Sequence, residues 1–488
     1  MKNFRIFCLI LGVLLLLGHY PAHATGETNP TDTTTQTESS APVIYPQAQG
    51  DGSVATGCNS IDARVPLWGT DRLLETAGAA MLYELNSDTM VYAWNPDIQL
   101  HPASLVKIMT CLIALENAEL SDTVTVTSTA IATLPKDTTL NFVIGEAWTL
   151  EQMLYCLMVG GYNDAAVVIA EHVAGSQKAF VRMMNERAKE IGCVGTVFTN
   201  ATGFHDDKQL STTRDLVKIL KEALKNEHFK DFFSQTIYRL PANDLHEARY
   251  METPNYMMTY TITQEYYDVR VTGGRTGVTE ARERCLIVTA ESKGLHYIAI
   301  VMCAKATYDD EGKIVRFGSY EEVKELINKG FNNHRVTQVL GSDQILTQYP
   351  VSSGENSVAV GPAETVYTVL PSDILSTELA YQYQTTPMLS APVQAGEYIT
   401  SVQVWYGNVC VAQAPIITRN SSDVAAVADQ SVYIEQTGEG LRIFLRLLAI
   451  LGVILLIFGV ILVTVRLIRQ ARLRAQHRRR RRNRRRSR

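Results

Sequence analysis

A run of 19 residues without a charged side chain, from Leu447 to Val465, limits more than any other feature how this chain can fold. A helix of about 20 apolar residues crosses the hydrocarbon core of a bilayer, so the run predicts a transmembrane helix over 443–465. The segment 466–488, which follows at once, is rich in arginine. Because basic residues that flank a span stay in the cytoplasm, we predict a single-pass protein of the cell membrane with its C-terminus inside and its body outside.

Charge is distributed unevenly between the body and the tail of the chain. Residues 441–488 hold 15 arginines and no acidic residue, whereas residues 25–440 hold 28 basic and 50 acidic residues. The formal net charge of −5 therefore conceals an acidic body with a net charge of −22. A nucleic-acid-binding tail is one interpretation of the arginines. Since the tail is short, tethered to the predicted span and free of interleaved aromatic residues, we expect contact with anionic lipid head groups and no nucleic acid partner.

The N-terminal 24 residues have the three parts of a secretory signal peptide. Lys2 and Arg5 form a basic start, an apolar run follows, and Ala22-His23-Ala24 precedes the predicted cleavage site. A retained N-terminal anchor is the alternative, although the apolar run is short for a span. After the signal peptide at 1–24, the segment 25–58 is rich in Thr, Ser, Pro and Gly and predicts a low-complexity linker.

The cysteines give little indication of a cross-linked or metal-bound fold. Eight are present, and removal of the signal peptide would leave seven. An odd number without tight spacing argues against a disulfide framework or a zinc site. Four of them lie in apolar runs and are predicted to be buried core residues, namely Cys111, Cys156, Cys285 and Cys303.

Between residues 59 and 335, strand-like and helix-like patterns alternate. A β-hairpin is predicted near the start, over 79–94, and apolar strands are predicted at 285–290 and 297–303. Between and after them, helical periodicity is present at 104–113, 151–158, 164–172, 177–191, 213–225 and 321–328. This order predicts an α+β domain over 59–335 in which an antiparallel sheet packs against helices.

Residues 336–435 have a different pattern. Helical periodicity is lost, and short alternating runs appear at 357–360, 366–370 and 401–406, punctuated by Pro and Gly. Such runs predict a small all-β domain, a sandwich or a barrel, between the first domain and the membrane.

Ser104 and Lys107 lie three residues apart at the start of a predicted helix, which places their side chains on one face. A serine hydroxyl becomes a good nucleophile when a nearby base accepts its proton, and a partly desolvated lysine can be that base. Alone, the Ser-x-x-Lys spacing is a weak signal, because many helices contain it by chance.

Two later motifs strengthen the signal. Asn163 follows Gly161-Tyr162, and Arg275-Thr276-Gly277 leads into the apolar strand near Cys285. Ser-x-x-Lys, then Ser-Asp-Asn, then Lys-Thr-Gly is the signature of penicillin-binding proteins and class A β-lactamases. Through these motifs the chain resembles the serine D-alanyl-D-alanine carboxypeptidases, the low-molecular-mass penicillin-binding proteins. The resemblance extends over roughly 75–335. Within this range, the stretches 102–110, 198–206 and 211–215 also match.

The resemblance implies a β-lactamase/transpeptidase-like catalytic domain and a chemical role for each motif. Ser104 would attack the carbonyl of the penultimate D-Ala in a peptidoglycan stem peptide. Lys107 would accept the serine proton, and Asn163 would align Lys107 and the substrate amide. Hydrolysis of the acyl-enzyme would release the terminal D-Ala, and β-lactams such as penicillins would acylate the same serine as inhibitors.

The resemblance also implies how the peptide binds. Arg275, Thr276 and Gly277 would hold it as an added edge strand, with the cation and the hydroxyl facing the terminal carboxylate. The backbone N–H groups of Ser104 and Val278 would form the oxyanion hole. No metal or organic cofactor is implied, and the oligomeric state stays open.

The chain departs from the family pattern at two positions. Gly161 replaces the usual second serine, and Arg275 replaces the usual lysine, although arginine keeps the charge and can bind a carboxylate with two hydrogen bonds. These changes motivate an alternative, a catalytically impaired relative that binds peptidoglycan or serves as a scaffold. A β-lactamase is a third interpretation, which the absence of a Glu-x-x-Leu-Asn-like stretch disfavours.

Other polar residues near these motifs have less specific interpretations. Asn200 and His205-Asp206 are expected to shape a loop near the site rather than to act directly. Arg214-Asp215 is interpreted as an ion pair at a helix start. Arg316 is either a contact for the substrate carboxylate or a solvated surface charge.

Overall fold

The computed structural model of the chain describes residues 67, 74–131, 134, 138–261, 263–384, 388–425 and 430–484, so the predicted signal peptide and linker lie outside the described residues. The described helices are α1 (Val106–Asn117), α2 (Ser128–Ile131), α3 (Leu150–Tyr155), α4 (Asn163–Ala174), α5 (Gln177–Ile191), α6 (Thr213–Ala223), α7 (Glu227–Ser234), α8 (Gly318–Asn333) and α9 (Gln430–Arg484). The described strands are β1 (Ala79–Glu84), β2 (Thr89–Trp94), β3 (Thr123–Thr125), β4 (Ala147–Thr149), β5 (Ile237–Leu240), β6 (Arg249–Glu252), β7 (Val271–Val278), β8 (Arg284–Ser292), β9 (Leu295–Ala304), β10 (Ala306–Tyr308), β11 (Ile314–Phe317), β12 (His334–Leu340), β13 (Thr347–Tyr349), β14 (Val351–Ser352), β15 (Val358–Pro362), β16 (Val366–Pro371), β17 (Leu379–Tyr383), β18 (Leu389–Ser390), β19 (Tyr398–Tyr406) and β20 (Val409–Thr418).

The centre of the first domain is a five-stranded antiparallel sheet in the order β2-β1-β9-β8-β7. Strand β1 pairs with β2 in the predicted hairpin, and on its other side it pairs with β9. Strands β8 and β9 are the two apolar strands expected from the sequence, and they are joined by a turn at Lys293 and Gly294. The predicted combination of an antiparallel sheet with helices is confirmed.

Side chains of the sheet alternate between two buried layers, because successive residues of a strand point to opposite faces. Met81 and Tyr83 of β1 belong to a core that includes α1, whereas Ala80 and Leu82 belong to a core that includes α8. Helices therefore cover both faces of the sheet. This explains why β1 and β9 are almost continuously apolar instead of alternating between apolar and polar residues.

Helix α1 runs through the first of these cores. All its residues from Val106 to Ala114 are buried, including the polar side chains of Lys107 and Thr110. Buried polar groups need hydrogen-bond partners within the protein. The Thr110 hydroxyl donates to the Ala201 carbonyl oxygen at 2.7 Å, which ties the helix to the loop that carries residue 202.

Two helical segments meet at a break that the sequence predicted. Helix α3 continues into a π-helical turn, Cys156–Gly160, and the chain then reverses at Gly161, which has the left-handed backbone angle φ of +81°. Helix α4 begins two residues later at Asn163. A left-handed conformation is readily adopted by glycine, so Gly161 lets the chain reverse here without backbone strain.

The second domain begins where α8 ends, and its described strands form the predicted all-β architecture. A five-stranded sheet has the order β13-β15-β20-β19-β17, and a separate pair joins β12 to β16. Val360, Val402 and Val404 of this domain belong to the same apolar cluster as α8. The Thr89 and Thr368 hydroxyl oxygens, one from each domain, are 3.5 Å apart. The two domains are thus packed together rather than linked only by the chain.

Helix α9 contains the apolar run noted in the sequence. Within it, Leu441–Arg472 is long and apolar enough to cross a membrane, and it is the one such segment among the described residues. Its apolar side chains are exposed throughout. An apolar helix without protein around it is compatible with a membrane anchor.

The cysteines confirm one expectation and revise another. Cys111, Cys156, Cys285 and Cys303 are free and buried, as their apolar surroundings predicted. Cys410 of β20 is disulfide-bonded. The number and spacing of the cysteines did not indicate this bond, because pairing depends on which distant segments the fold brings together.

Candidate active site

Ser104 lies in a short 3₁₀ turn, Ala103–Leu105, immediately before α1 begins at Val106. The Leu105 N–H closes the turn by donating to the Pro102 carbonyl oxygen at 3.2 Å. The serine hydroxyl therefore stands at the N-terminal end of a buried helix, where backbone N–H groups favour negative charge.

Two glycines let neighbouring segments come close to this turn. A β-carbon at Gly203, where φ is +81°, would lie 2.0 Å from the Ala103 carbonyl oxygen. A β-carbon at Gly277 of β7 would lie 3.0 Å from the Ser104 backbone nitrogen. A larger residue at either position would force the loop or the strand away from Ser104.

The Lys107 side chain is completely buried and ends among three oxygen atoms. Its Nζ lies 3.0 Å from the Ser104 Oγ and donates to the Asn163 Oδ1 at 2.7 Å. It also donates to the Thr202 carbonyl oxygen. Three segments of the chain that are far apart in sequence therefore converge on one amine.

The surroundings of this amine disfavour its charged form. Burial lowers the pKa of Lys107 well below its ordinary value, and the positive charge of Arg275 lowers the pKa further. The negative charge of Asp164 raises the pKa and opposes part of the effect. A lysine with a strongly lowered pKa is neutral, and able to accept a proton, at a pH where an exposed lysine is charged.

Asn163 reaches Lys107 because α4 begins beside α1. The next residue, Asp164, is buried and accepts hydrogen bonds from the N–H groups of Ala165 at 3.0 Å and Phe142 at 3.3 Å. Burial raises the pKa of Asp164, and the hydrogen bonds from backbone N–H groups offset only part of this rise. Asp164 thus fastens the start of α4 to the loop at 140–142 and holds Asn163 in place.

Arg275 lies on β7, but its guanidinium points into the protein. The residue is only 3% exposed, and its Nη1 donates to the Met158 carbonyl oxygen at 2.9 Å. Burial lowers the pKa of Arg275 to about 10. A β-carbon at Gly161 would lie 2.4 Å from the Arg275 Nη2. The two positions that depart from the family pattern are therefore in direct contact.

These residues surround an open cavity of about 680 Å³. The predicted residues Ser104, Asn163, Arg275, Thr276, Gly277 and Val278 all line it. Lys107 is the one predicted site residue that lies behind the wall, where it contacts Ser104. Strand β7 is at the edge of the central sheet, so one side of its backbone is unpaired within that sheet and faces the cavity.

Comparison with known proteins agrees with this geometry. Residues 71–306 match the peptidase S11 family, described as D-alanyl-D-alanine carboxypeptidase, and residues 335–423 match the C-terminal domain of penicillin-binding protein 5. Residues 71–306 therefore form a domain of the D-alanyl-D-alanine carboxypeptidase family. The chain is 24% identical over 356 residues to the D-alanyl-D-alanine carboxypeptidase DacF of Bacillus subtilis, which covers 72% of this chain and 87% of that relative.

Other proteins match this chain over a comparable length. The D-alanyl-D-alanine carboxypeptidase DacC of Escherichia coli is 26% identical over 351 residues, which are 70% of this chain and 83% of the relative. The crystal structure of penicillin-binding protein 5 from Haemophilus influenzae superposes with a TM-score of 0.58 at 23% identity and covers 71% of this chain and 98% of that one. At this identity the structural likeness establishes the fold: a catalytic-type domain followed by an all-β domain.

The loop that carries Thr202 supplies a contact to which sequence reasoning assigned no role. Asn200, predicted to shape this loop, does so by accepting hydrogen bonds at its Oδ1 from the N–H groups of Thr202 at 3.2 Å and Gly203 at 2.9 Å. The stretch 198–206 was part of the family resemblance, but a backbone carbonyl has no sequence signature. The contact of Thr202 with Lys107 is therefore visible only in the fold.

The cavity rim contains a polar cluster that the sequence did not predict as a unit. The His205 Nε2 lies 2.9 Å from a carboxylate oxygen of Glu280, and the His101 and His205 rings meet edge to face at 4.8 Å. Other lining residues missed by the sequence reading are Thr138, Tyr162, Phe204, Gln209 and Pro254.

Two other interpretations of charged residues are settled by their partners. Arg214 pairs with Asp97 at 2.6 Å, and Asp215 accepts from the Thr196 hydroxyl at 2.7 Å, so the predicted pairing of Arg214 with its neighbour is wrong. Adjacent residues on a helix point in different directions. Arg214 and Asp215 therefore each contact a different residue. Arg316 is an exposed surface charge that pairs with Glu321 at 2.7 Å.

Proposed function

We propose that this chain is a membrane-anchored serine carboxypeptidase that removes the terminal D-Ala from peptidoglycan pentapeptide stems. The observation that carries the proposal is the position of the Lys107 Nζ, which lies 3.0 Å from the Ser104 Oγ at the wall of the cavity. A nucleophile within hydrogen-bond distance of a base is the geometry that covalent catalysis requires.

The other two contacts of Lys107 orient its proton-accepting side. The Asn163 Oδ1 and the Thr202 carbonyl oxygen are both acceptors, so they engage two N–H groups of the amine. A neutral amine has two N–H groups and one lone pair. With both N–H groups engaged, the lone pair is left for the proton of the Ser104 hydroxyl.

In the proposed acylation, the Ser104 Oγ forms a bond to the carbonyl carbon of the penultimate D-Ala while its proton passes to the Lys107 Nζ. The backbone N–H groups of Ser104 and Val278 would stabilise the resulting oxyanion. The peptide C–N bond then breaks, and Lys107 gives the proton to the amine of the departing D-Ala. Water next attacks the ester carbonyl carbon while Lys107 accepts its proton. The ester C–O bond then breaks, Lys107 returns the proton to the Ser104 Oγ, and the shortened peptide leaves with a new carboxyl group.

The edge of β7 supports the proposed mode of substrate binding. An extended peptide can add to an exposed sheet edge through its main chain. Thr276, Gly277 and Val278 line the cavity along that edge, and Gly277 brings the strand against the Ser104 turn. The scissile carbonyl would thereby lie beside the serine, and the terminal carboxylate would lie toward the Thr276 hydroxyl, because the Arg275 guanidinium is buried and donates to Met158 instead.

The decisive experiment uses the full-length chain purified in detergent. A muramyl pentapeptide is incubated with the wild-type protein and with Ser104→Ala, and the products are followed by mass. We expect the loss of one D-Ala with the wild-type protein alone, and covalent labelling of the wild-type protein alone by a fluorescent penicillin.

The same experiment distinguishes the alternative, a catalytically impaired relative that binds peptidoglycan or serves as a scaffold. Gly161 and Arg275 are the observations that motivate it. Correctly folded wild-type protein that binds the stem peptide but releases no D-Ala and takes up no penicillin would support this alternative and exclude the enzyme.

The apolar segment of α9 supports the membrane part of the proposal. We propose a catalytic domain outside the cell membrane and an Arg-rich C-terminus inside, in contact with anionic lipids. A chain that ends after residue 425 should leave the membrane fraction, and a tag at the C-terminus of the full chain should be protected from protease added outside intact cells. Digestion of that tag would contradict the topology.

A further inference from the structure

We propose that Arg275 is a positioning residue for the Ser104–Lys107 pair and that it can occupy its place only because residue 161 is glycine. The inference rests on the proposed function and explains how both departures from the family pattern coexist with an assembled site. Gly161 and Arg275 are thus one paired replacement for the usual serine and lysine, not two independent losses.

The Arg275 guanidinium occupies the space above Gly161. A β-carbon there would lie 2.4 Å from the Arg275 Nη2 and 3.2 Å from its Cζ, which is closer than any side chain permits without movement. The guanidinium thus fills the volume that a serine at 161 would need. Conversely, a serine at 161 would drive the guanidinium out of this volume.

One hydrogen bond connects the guanidinium to the turn before α4. Its Nη1 donates to the Met158 carbonyl oxygen in the π-helical turn that ends at Gly160, two residues before Tyr162. Its Nε is buried and has no hydrogen-bond partner among the described residues. Arg275 therefore ties β7 to the turn that leads into α4 and to Asn163, the residue that contacts Lys107.

The charge of Arg275 also acts on Lys107. The charged groups that act on its amine in the described structure are Arg275 from β7 and Asp164 from α4. They have opposite signs, and Arg275 is the one that favours the neutral amine. Because both side chains are buried, solvent screens the effect of Arg275 weakly.

A double-variant cycle tests the pairing. The rate of acylation by a fluorescent penicillin is measured for the full-length wild type, Gly161→Ser, Arg275→Lys and the double variant. We expect each single variant to be slower by about 10-fold and the double variant to be within about 3-fold of the wild type. Additive losses, about 100-fold in the double variant, would overturn the proposal.

Matched controls separate the pairing from general effects of the substitutions. Gly175 also has a positive φ of +70°, but a β-carbon there would meet nothing within 4 Å, so Gly175→Ser imposes a similar backbone strain in open space. Arg316→Lys makes the same chemical change at an exposed ion pair. We expect neither control to slow acylation.

The pH profile tests positioning through charge. Arg275→Gln removes the positive charge beside Lys107, so the acid limb of the acylation profile should move to higher pH by about one pH unit, whereas Arg275→Lys should leave it in place. A residue that only binds the substrate carboxylate would lower the rate at every pH without moving the limb. An unmoved limb in Arg275→Gln would overturn the positioning role.

A readout that needs no activity keeps the two proposals distinguishable. The wild type and the same three variants are compared by their thermal unfolding midpoints, and the double variant should be more stable than the sum of the single changes predicts. If the wild type is inactive but this coupling is present, the proposed function fails and the paired packing stands. If the wild type is active and neither cycle shows coupling, the inference alone fails.

Discussion

The Asn163 Oδ1 accepts a hydrogen bond from the Lys107 Nζ at 2.7 Å, although the two residues are 56 positions apart in the sequence. A neutral amide at this position holds the amine without fixing a positive charge on it. A carboxylate of the same shape would do the opposite, since an opposite charge nearby favours the protonated amine.

Asn163→Asp is therefore expected to slow acylation by about 100-fold near neutral pH, because it raises the pKa of Lys107 and leaves less of the neutral base. The rate should recover partly as the pH is raised, which a loss of folding would not produce. Asn163→Ala is the control, since it removes the contact without adding charge. If the two variants had the same pH profile, the electrostatic account of Asn163 would be wrong.

Lys107→Arg should reduce acylation by about 10³-fold, because arginine stays protonated and cannot accept the serine proton. In the wild type, acylation should fall as the pH falls through the lowered pKa of Lys107, since protonation removes the base. The neutral form should nevertheless persist to lower pH than for an exposed lysine. The measurement is the rate of penicillin labelling against pH. Substantial labelling of Lys107→Arg would show that another group accepts the serine proton.

Gly203→Ala should impair catalysis through the backbone. The new β-carbon would lie 2.0 Å from the Ala103 carbonyl oxygen, so the Ser104 turn must shift. A displacement of about 1 Å at a reacting group can cost about 100-fold in rate. Gly175→Ala, at a similar φ in open space, is the matched control and should acylate normally. Equal effects of the two variants would show that backbone strain, not displacement of Ser104, is responsible.

Arg249→Met should destabilise the first domain strongly. Arg249 pairs at 2.8 Å with Glu146, which is completely buried, so its removal leaves a buried carboxylate without its cation. Breaking such a pair costs about 3–5 kcal/mol, measurable as a lower free energy of unfolding in denaturant.

The control for this ion pair is Arg316→Met, which breaks the exposed pair with Glu321 and should change stability little. The double variant Arg249→Met/Glu146→Gln should recover part of the loss, because the buried charge is also removed. A double variant less stable than Arg249→Met would contradict the charge-burial explanation.

Most secondary structure of the first domain could be predicted from the sequence. The hairpin of β1 and β2, the helix after Ser104 and the helix at 177–191 follow from patterns of period 2 or 3.6, and these patterns reflect which faces are buried. Ser104 and Lys107 could be assigned to one face because they are a single turn apart. Local spacing determines local geometry.

The pairing of charges could not be predicted in the same way. Arg214 lies next to Asp215 in the sequence, yet it pairs with Asp97. Cys410 likewise forms a disulfide that the cysteine spacing did not indicate. The packing of helices and strands decides which residues far apart in the chain become partners. Residues that are neighbours in the sequence do not reveal that packing.

By itself, the sequence determined the one-turn spacing of Ser104 and Lys107, the order of the motifs, the two-domain order and the long apolar helix, because each depends on residues that are neighbours in the chain. The tertiary structure alone decided what surrounds Lys107: the Thr202 carbonyl, the depth of burial and the nearby charge of Arg275. It also placed Arg275 against Gly161, more than 100 residues away. The physical reason is that desolvation and steric exclusion depend on everything that packs around a group, whereas sequence spacing records only what lies beside it in the chain.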